Sequence, residues 1–220
     1  MGLKFGIDDA GRGPVIGPMI VAGCIIHEEH EEELREAGVK DSKLLTQKKR
    51  EELEVKIKEI AHSYSVRVVD PDTITETNIA GLKLNELEAS MSADVINELN
   101  IIEDAMFVVL DCPSPNLEAW GNYLKAKVDK LNNLEISSEH KADLNHISAG
   151  CASILAKCER ERQMAMLNEE YPGIGSGYPS DPKTKAFLAK YATEHADKGI
   201  FRKTWKTYQK AIETTQSTLF

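Results

Sequence analysis

The feature that most constrains the fold lies near the start of the chain, where a mostly apolar run meets two adjacent carboxylates. Residues Leu3 to Ile7 are typical of a short buried strand. Asp8 and Asp9 follow directly, and the Gly11–Pro14 segment then marks a turn. Adjacent side chains on a regular strand point to opposite faces, so both aspartates reach one site only where the strand ends and bends. Because neighbouring carboxylates repel, a divalent cation that offsets both charges explains why they coexist.

The residues after the aspartates indicate what such a site would bind. On its own, an Asp-Asp pair is more often a solvated junction between a strand and a turn. Here the turn carries Gly11 and Gly13, which permit a positive φ or a close approach of the backbone to a ligand. Between them, Arg12 offers a planar guanidinium suited to phosphate. The pattern favours a metal site beside a phosphate-containing substrate.

Length and composition define the class of protein. At 220 residues the chain fits one domain, or one domain with a small appendage, and its 41% hydrophobic residues suffice for a core. It lacks a run of about eighteen apolar residues and a signal-peptide pattern, so we expect a soluble, cytoplasmic protein. The cysteines show no Cys-x-x-Cys spacing, so we expect reduced, mostly buried thiols and no zinc site. They are Cys24, Cys112, Cys151 and Cys158.

The charge distribution leaves two interpretations open for the C-terminal part. A formal net charge of −9 argues weakly against nucleic-acid binding. However, eight basic residues lie between Lys183 and Lys210, against only Glu194 and Asp197. Such a basic face can hold a polyanion, and it can equally be a solvated helix surface.

The hydrophobic pattern predicts an α/β fold with a five-stranded mixed sheet flanked by helices. A second strand, Met19 to Ile26, follows the first after a short link, so we expect an antiparallel hairpin. Further strands are predicted over Ser63 to Val69, Ala105 to Leu110 and Leu134 to Ser137. Helices are predicted up to Gly38, from Thr46 to Ile60, from Asp72, from Leu82 to Leu99, from Pro115 to Leu131, from Ile147 to Asn168, from Lys183, and from Lys203 to Glu213.

Two further aspartates occupy positions comparable to the first pair. Asp111 directly follows the apolar strand that ends at Leu110, and Asp143 comes a few residues after the fifth predicted strand. If the first and fourth strands are parallel neighbours, Asp8 and Asp111 converge at their carboxyl ends. Each aspartate alone is equally compatible with a surface or capping role. Together they predict an all-carboxylate site for Mg²⁺ or Mn²⁺, which supports phosphodiester hydrolysis with two metal ions.

Several motifs resemble ribonuclease HII (type 2 ribonuclease H), particularly its archaeal members. The resemblance covers essentially the whole chain, and the motifs are far more specific together than any one alone. They are Gly6–Pro18, Val39–Lys43, Glu139–Asp143, Ala152–Lys157 and Gly175–Thr184.

The resemblance implies an RNase H-like fold, with a catalytic domain over residues 1–170 and a helical C-terminal extension and tail over residues 171–220. It implies an endoribonuclease that cleaves the RNA strand of RNA–DNA hybrids and single ribonucleotides embedded in duplex DNA. Cleavage on the 5′ side of the ribonucleotide would leave 3′-hydroxyl and 5′-phosphate ends. We expect the protein to act as a monomer.

The resemblance also assigns roles to individual residues. The catalytic and metal-binding carboxylates would be Asp8, Asp9, Asp111 and Asp143. The Gly11-Arg12-Gly13 turn would contact the ribose 2′-hydroxyl, the group that distinguishes RNA from DNA. Tyr178 would pack against a sugar at the RNA-to-DNA junction, and Lys43 would lie near the nucleic-acid backbone. Taken alone, Tyr178 and Lys43 are also compatible with ordinary loop residues.

Two departures from the family pattern keep alternatives open. Asp9 stands where the family usually has a glutamate, so its carboxylate is one methylene shorter. This motivates an alternative function, a hybrid-binding or clamp-associated module with impaired catalysis. After Asp143 the chain reads Leu144 to Ile147 in place of a Tyr-Pro-Val-like sequence, and His146 is either a loop histidine or a proton shuttle.

The C-terminal residues Gln216 to Phe220 resemble a shortened sliding-clamp-binding motif, in which apolar anchors enter a groove on the clamp. The simpler interpretation is a frayed tail.

A third functional hypothesis, a DNA junction nuclease on a similar fold, predicts cleavage of DNA without any 2′-hydroxyl.

Overall fold

A five-stranded mixed sheet organises this computed structural model, which describes residues 2–39, 45–101 and 103–217. The strand order is β3-β2-β1-β4-β5. The strands are β1 (Leu3–Ala10), β2 (Met19–His27), β3 (Ser63–Val69), β4 (Met106–Asp111) and β5 (Leu134–Glu139).

The strand pairing places two of the predicted site residues near the carboxyl ends of neighbouring strands, on the same side of the sheet. β1 pairs with β2 antiparallel, which confirms the predicted hairpin. β1 and β4 are parallel, with Leu3 opposite Met106 and Ile7 opposite Leu110. In the β1–β4 pairing, Asp8 and Asp111 each follow the last paired residue. The prediction that the first strand ends at the two aspartates is wrong, because pairing with β2 continues β1 to Ala10. β5 continues the parallel arrangement on the other side of β4.

Four helices begin at a residue whose side chain accepts a backbone N–H group. Thr46, Asp70, Asn116 and Asp181 each accept such a bond at the start of a helix. The described helices are α1 (Glu31–Ala37), α2 (Gln47–Ile60), α3 (Pro71–Ile79), α4 (Leu84–Leu99), α5 (Leu117–Lys125), α6 (Ala142–Asn145), α7 (Ile147–Glu170), α8 (Pro182–Tyr191) and α9 (Lys206–Ser217).

One predicted helix is much shorter than the sequence indicates. α5 ends at Lys125, whereas the apolar spacing predicts a helix to Leu131. Side chains in α4 and directly after it bind the segment that follows α5. Asn97 Nδ2 donates to the carbonyl of Lys127 at 3.0 Å, and Asn100 Nδ2 donates to the carbonyl of Lys130 at 2.9 Å. The Lys127 carbonyl is thereby used by Asn97, whereas a helix that continued to Leu131 would use it internally.

The chain divides into two compact units that are interleaved in sequence. The first unit comprises Met1–Ala10, Ile20–Arg67 and Asn85–Glu159, and the second comprises Gly11–Met19, Val68–Leu84 and Arg160–Phe220. The predicted domain boundary between residues 170 and 171 stays a prediction.

The core of the first unit brings α7 directly onto β1. A Cβ atom at Gly6 would overlap backbone atoms of Ser148 and Ala149, so glycine is required for this approach. The apolar side of α7 packs with β2 in one buried cluster that includes Cys24 and Cys151. All four cysteines are buried free thiols, which agrees with the sequence prediction. This contact places the α7 side chains beside the end of β1.

The core of the second unit is an aromatic and aliphatic cluster around Phe201, Phe187 and Tyr208. Ile16 forms an isolated antiparallel bridge with Phe201, which ties the segment after Gly13 to the C-terminal part of the chain. Within the described ranges, we find no helix with the length and hydrophobicity needed to cross a membrane.

Candidate active site

Asp8 lies near the carboxyl end of β1, and its carboxylate is buried and hydrogen-bonded. Only 7% of the residue is exposed. Its Oδ1 accepts a hydrogen bond from the backbone N–H of Asp9 at 2.8 Å, and the hydroxyl of Ser153 also donates to the carboxylate. Lys157, one turn further along α7, donates from Nζ to Ser153 Oγ at 2.6 Å. Asp8, Ser153 and Lys157 therefore form a continuous hydrogen-bonded chain.

The pKa of Asp8 shows how strongly its surroundings oppose a negative charge. Burial is the largest cause, and repulsion from Asp9 and Asp111 adds to it, so that the pKa rises from 3.8 to about 8. The Ser153 hydrogen bond and the Lys157 charge act in the opposite direction without cancelling the rise. Asp8, Asp9 and Asp111 are thus close enough to influence one another electrostatically.

Asp111 and Asp143 are connected through the first turn of α6. Asp111 ends β4, and its Oδ1 accepts a hydrogen bond from the N–H of Ala142 at 2.8 Å. Ala142 begins α6, and the next residue, Asp143, is 1% exposed. The chain enters this helix through Lys141, which has a positive φ of 60°. The Asp111 carboxylate therefore fixes the start of the helix that carries Asp143.

The carboxylate chemistry fits hard divalent cations, although the side chains do not form a complete metal site as they stand. Across residues 2–39, 45–101 and 103–217, no three His, Cys, Asp or Glu side chains are already arranged around one metal position. Asp9 and Asp111 nevertheless each repel the negative charge of Asp8, and a cation would favour the ionised form of Asp8. An all-oxygen donor set suits Mg²⁺ or Mn²⁺ rather than zinc.

The segment between β5 and α7 is held at both ends by a polar pair. Glu139 Oε2 and His146 Nε2 lie 2.9 Å apart, and Ser137 Oγ donates to Glu139 Oε1 at 2.9 Å. Burial would raise the pKa of Glu139, but the hydrogen bonds from His146 and Ser137 lower it overall. His140 Nδ1 also lies 3.0 Å from the carbonyl oxygen of Cys112. His146 is therefore paired with a carboxylate on the strand that precedes α6.

In the second unit, the Gly11-Arg12-Gly13 turn is held by a single buried side chain. Gly11 has a positive φ of 85°, and its carbonyl accepts a hydrogen bond from Arg202 Nη2 at 2.6 Å. Arg202 Nη1 donates to the carbonyl of Arg12 at 2.8 Å. The turn is therefore fixed by a residue about 190 positions away in the chain.

Tyr178 lies against the same turn. A Cβ atom at Gly13 would lie 3.4 Å from Tyr178 Cε1, an ordinary van der Waals distance, so the turn and the ring are close neighbours. The guanidinium carbon of Arg160 lies 4.9 Å from the ring centre, and Arg160 Nη2 donates to the carbonyl of Ser176 at 2.7 Å. Tyr178 remains 38% exposed, which leaves part of its ring open for contact.

The loop that carries Tyr178 is braced from several directions. Asn168 bonds both the N–H and the carbonyl of Gly175, at 2.9 and 2.8 Å. Asp181 Oδ2 accepts from the N–H of Ser176 at 2.7 Å. The carbonyl of Gly177 accepts from the N–H of Val15 at 2.8 Å, which joins the loop to the segment after Gly13.

The structure adds residues that motif reasoning does not assign. Ser153 and Lys157 are four positions apart on one helix face, a spacing that the sequence displays without revealing its partner, Asp8. Arg160 and Arg202 carry no local signal of their contacts. Lys43 lies outside the described residues, as do residues 218–220 of the predicted clamp-binding tail.

Solved structures share this fold. A ribonuclease H2 from Pyrococcus horikoshii OT3 superposes with a TM-score of 0.88 at 37% identity, covering 97% of this chain and 99% of that one. A chain in the PCNA:RNase HII complex from Archaeoglobus fulgidus gives a TM-score of 0.82 at 36% identity, covering 94% and 96%. The five-stranded mixed sheet and its similarity to these ribonucleases define a nuclease with the RNase H-like fold.

The sequence comparison identifies the family. The chain matches ribonuclease HII over residues 5–208. Ribonuclease HII of Methanococcus maripaludis strain C7 is 42% identical over 219 residues, covering 98% of this chain and 90% of the relative. The chain belongs to the ribonuclease HII family. It is a ribonuclease and therefore a hydrolase, and the use of metal ions is general in this family.

Proposed function

We propose that this enzyme cleaves the RNA strand of RNA–DNA hybrids and incises duplex DNA on the 5′ side of a single embedded ribonucleotide. The products carry 3′-hydroxyl and 5′-phosphate ends. The observation that carries the proposal is the electrostatic coupling of Asp8 with Asp9 and Asp111 at the ends of β1 and β4. A buried carboxylate with two partly exposed carboxylates near it is suited to holding cations against a phosphodiester.

Asp8, Asp9, Asp111 and Asp143 would hold Mg²⁺ or Mn²⁺, two ions in the working complex. Bound there, such ions supply an activated water and stabilise the leaving oxygen of an in-line displacement. Asp8 is aligned by Ser153 and by the N–H of Asp9. Asp111 holds the start of α6, so one carboxylate both serves the site and orients the helix that carries Asp143.

The Gly11-Arg12-Gly13 turn and Tyr178 would recognise the ribonucleotide. A 2′-hydroxyl both donates and accepts hydrogen bonds, and a glycine turn can bring backbone groups close to it. The proximity of Gly13 and Tyr178 supports a joint role for the turn and the aromatic ring. Lys43 is proposed to contact the nucleic-acid backbone.

The decisive experiment is cleavage of a DNA duplex that carries one ribonucleotide, with Mg²⁺ and separately with Mn²⁺. An otherwise identical all-DNA duplex and the Asp111→Asn variant are the controls. We expect incision 5′ to the ribonucleotide by the wild type only, with no cut in all-DNA duplex.

Other outcomes would redirect the assignment. Activity with Mn²⁺ alone would indicate that the shorter Asp9 side chain has altered the metal site. Binding of the duplex without incision by either ion would favour a hybrid-binding module with impaired catalysis. Cleavage of the all-DNA duplex would instead favour a junction nuclease.

We also propose that residues Gln216 to Phe220 bind a sliding clamp. The proposal is supported by the Gln-x-x-Leu-Phe sequence and by the similarity to the protein solved in a PCNA complex. Deletion of the five residues, and separately the double change of Leu219 and Phe220 to alanine, should abolish binding to the clamp in titration calorimetry. Cleavage of a short duplex without clamp should stay unchanged, and retained clamp binding in both variants would overturn the assignment.

A further inference from the structure

Arg202 is a fully buried arginine whose side chain donates to three backbone carbonyls, two of them in the Gly11-Arg12-Gly13 turn. Its Nη2 donates to Gly11 at 2.6 Å, its Nη1 to Arg12 at 2.8 Å and its Nε to Gly17 at 3.0 Å. The residue is 0% exposed. Burying a guanidinium costs free energy unless its donors are satisfied, so this arrangement indicates a specific structural demand at the turn.

The backbone around Arg202 fixes where its guanidinium can reach. The N–H of Arg202 donates to the carbonyl of Val15 at 2.9 Å, and the N–H of Gly17 donates to the carbonyl of Ile200 at 3.0 Å. The ring of Trp205 lies 5.2 Å from the guanidinium carbon. The side chain is therefore held from both its backbone and its planar face.

The hydrogen bonds to Gly11 and Arg12 determine the orientation of two peptide planes. These peptide bonds are trans, so each N–H points opposite to the carbonyl of the same plane. The carbonyl of Gly11 shares its plane with the N–H of Arg12, and the carbonyl of Arg12 shares its plane with the N–H of Gly13. Because both carbonyls face Arg202, both N–H groups point away from it.

We propose that Arg202 is a positioning residue that sets the selectivity for a ribonucleotide. By holding two peptide planes, it orients the N–H groups of Arg12 and Gly13 for contact with a ribose 2′-oxygen. This inference rests on the proposed function, because it assumes that the turn reads the 2′-hydroxyl. Arginine suits the task because its planar fork serves separated acceptors at once, whereas lysine carries all its donors on one nitrogen.

The test measures binding without cleavage. Fluorescence anisotropy in EDTA gives the Kd for a duplex with one ribonucleotide and for the matching all-DNA duplex. We expect the wild type to bind the ribonucleotide duplex more tightly, so that the ratio of the all-DNA Kd to the ribonucleotide Kd is high. Arg202→Met should reduce this Kd ratio by about tenfold, as expected for the loss of a well-placed hydrogen bond. Arg202→Lys should recover only part of the ratio, with little change in all-DNA binding. Lys203→Met, which removes the neighbouring charge, should weaken both complexes alike.

Each result decides the matter. A folded Arg202→Met protein with an unchanged ratio, or with an equal loss for both duplexes, would overturn the inference while leaving the proposed function intact. If the Arg202 variants do not fold, Trp205→Leu is the second test, because it keeps the guanidinium and removes the ring beside it. An unchanged Kd ratio in that variant would also overturn the inference. A wild type without preference would overturn the proposed 2′-hydroxyl recognition itself, together with this inference.

Discussion

Replacement of Asp8 by asparagine is expected to change how the stability of the metal-free protein depends on pH. The folded pKa of about 8 lies above the ordinary value of 3.8. Between these values the folded protein keeps a proton that the unfolded chain has lost, so the free energy of unfolding falls as the pH rises. The fall is at most about 1.4 kcal/mol per pH unit, or about 2–3 kcal/mol from pH 5 to pH 7. Asparagine does not titrate, so Asp8→Asn should lack this loss.

Urea unfolding in EDTA at several pH values between about 5 and 7 measures the effect. A useful control is Asp70→Asn, because hydrogen bonds from Thr73 outweigh burial and lower the pKa of Asp70. The contribution of Asp70 is therefore present above its ordinary pKa of 3.8 and lost only in stronger acid, so this variant should keep the wild-type slope. Added Mg²⁺ should stabilise the wild type more at pH 7 than at pH 5, because cation and proton compete for the carboxylates. If the free energy of unfolding fell equally steeply with pH for the wild type and Asp8→Asn in EDTA, the reasoning would be refuted.

Three further predictions concern Ser153, Asp9 and Glu139. Ser153→Ala removes a hydrogen bond to Asp8, so the Mg²⁺ concentration for half-maximal cleavage should rise about fivefold; Ser92→Ala, a buried serine of α4, should leave it unchanged. Asp9→Glu lengthens the carboxylate and should raise the ratio of Mg²⁺-supported to Mn²⁺-supported kcat, and a lower ratio would contradict this. Glu139→Gln weakens the bond to His146, so the wild type should lose more stability than the variant as the pH falls below 4.5, because the pKa of Glu139 is lowered. Thermal unfolding at about pH 3 and pH 6 checks this, and parallel losses would speak against it.

The sequence predicts the sheet and the approach of its carboxylates because the relevant signals are local. An apolar run that meets Asp8, and another that ends in Asp111, suffice to place both residues near the carboxyl ends of two strands, and parallel pairing then brings those ends together. The exact end of β1 is not predicted, because pairing with β2 extends that strand to Ala10. The end of α5 is different, because side-chain amides of Asn97 and Asn100 capture the carbonyls that follow. The sequence between residues 117 and 131 contains no signal that predicts these hydrogen bonds.

The supporting residues of the candidate site are not predictable for the same reason, because their roles depend on contacts that are distant in sequence. Arg202 is one of several basic residues near the C-terminus, and only the folded chain shows that it holds Gly11 and Arg12. Ser153 and Lys157 likewise acquire meaning from the close packing of α7 on Gly6. Motifs identify the groups that meet the ligand, whereas the groups that orient them depend on contacts distant in sequence.

The environments of the two adjacent aspartates argue that the shorter side chain at position 9 is compatible with catalysis. Asp8 is buried, and its carboxylate depends on its own hydrogen bonds to Ser153 and to the N–H of Asp9. The N–H at position 9 is a backbone group, so it supports Asp8 whether the residue is aspartate or glutamate. Only the reach of the second carboxylate changes, and the Asp9 side chain lies in a partly exposed position where the backbone or a cation can adjust. The change from glutamate to aspartate should therefore alter metal preference before it abolishes hydrolysis.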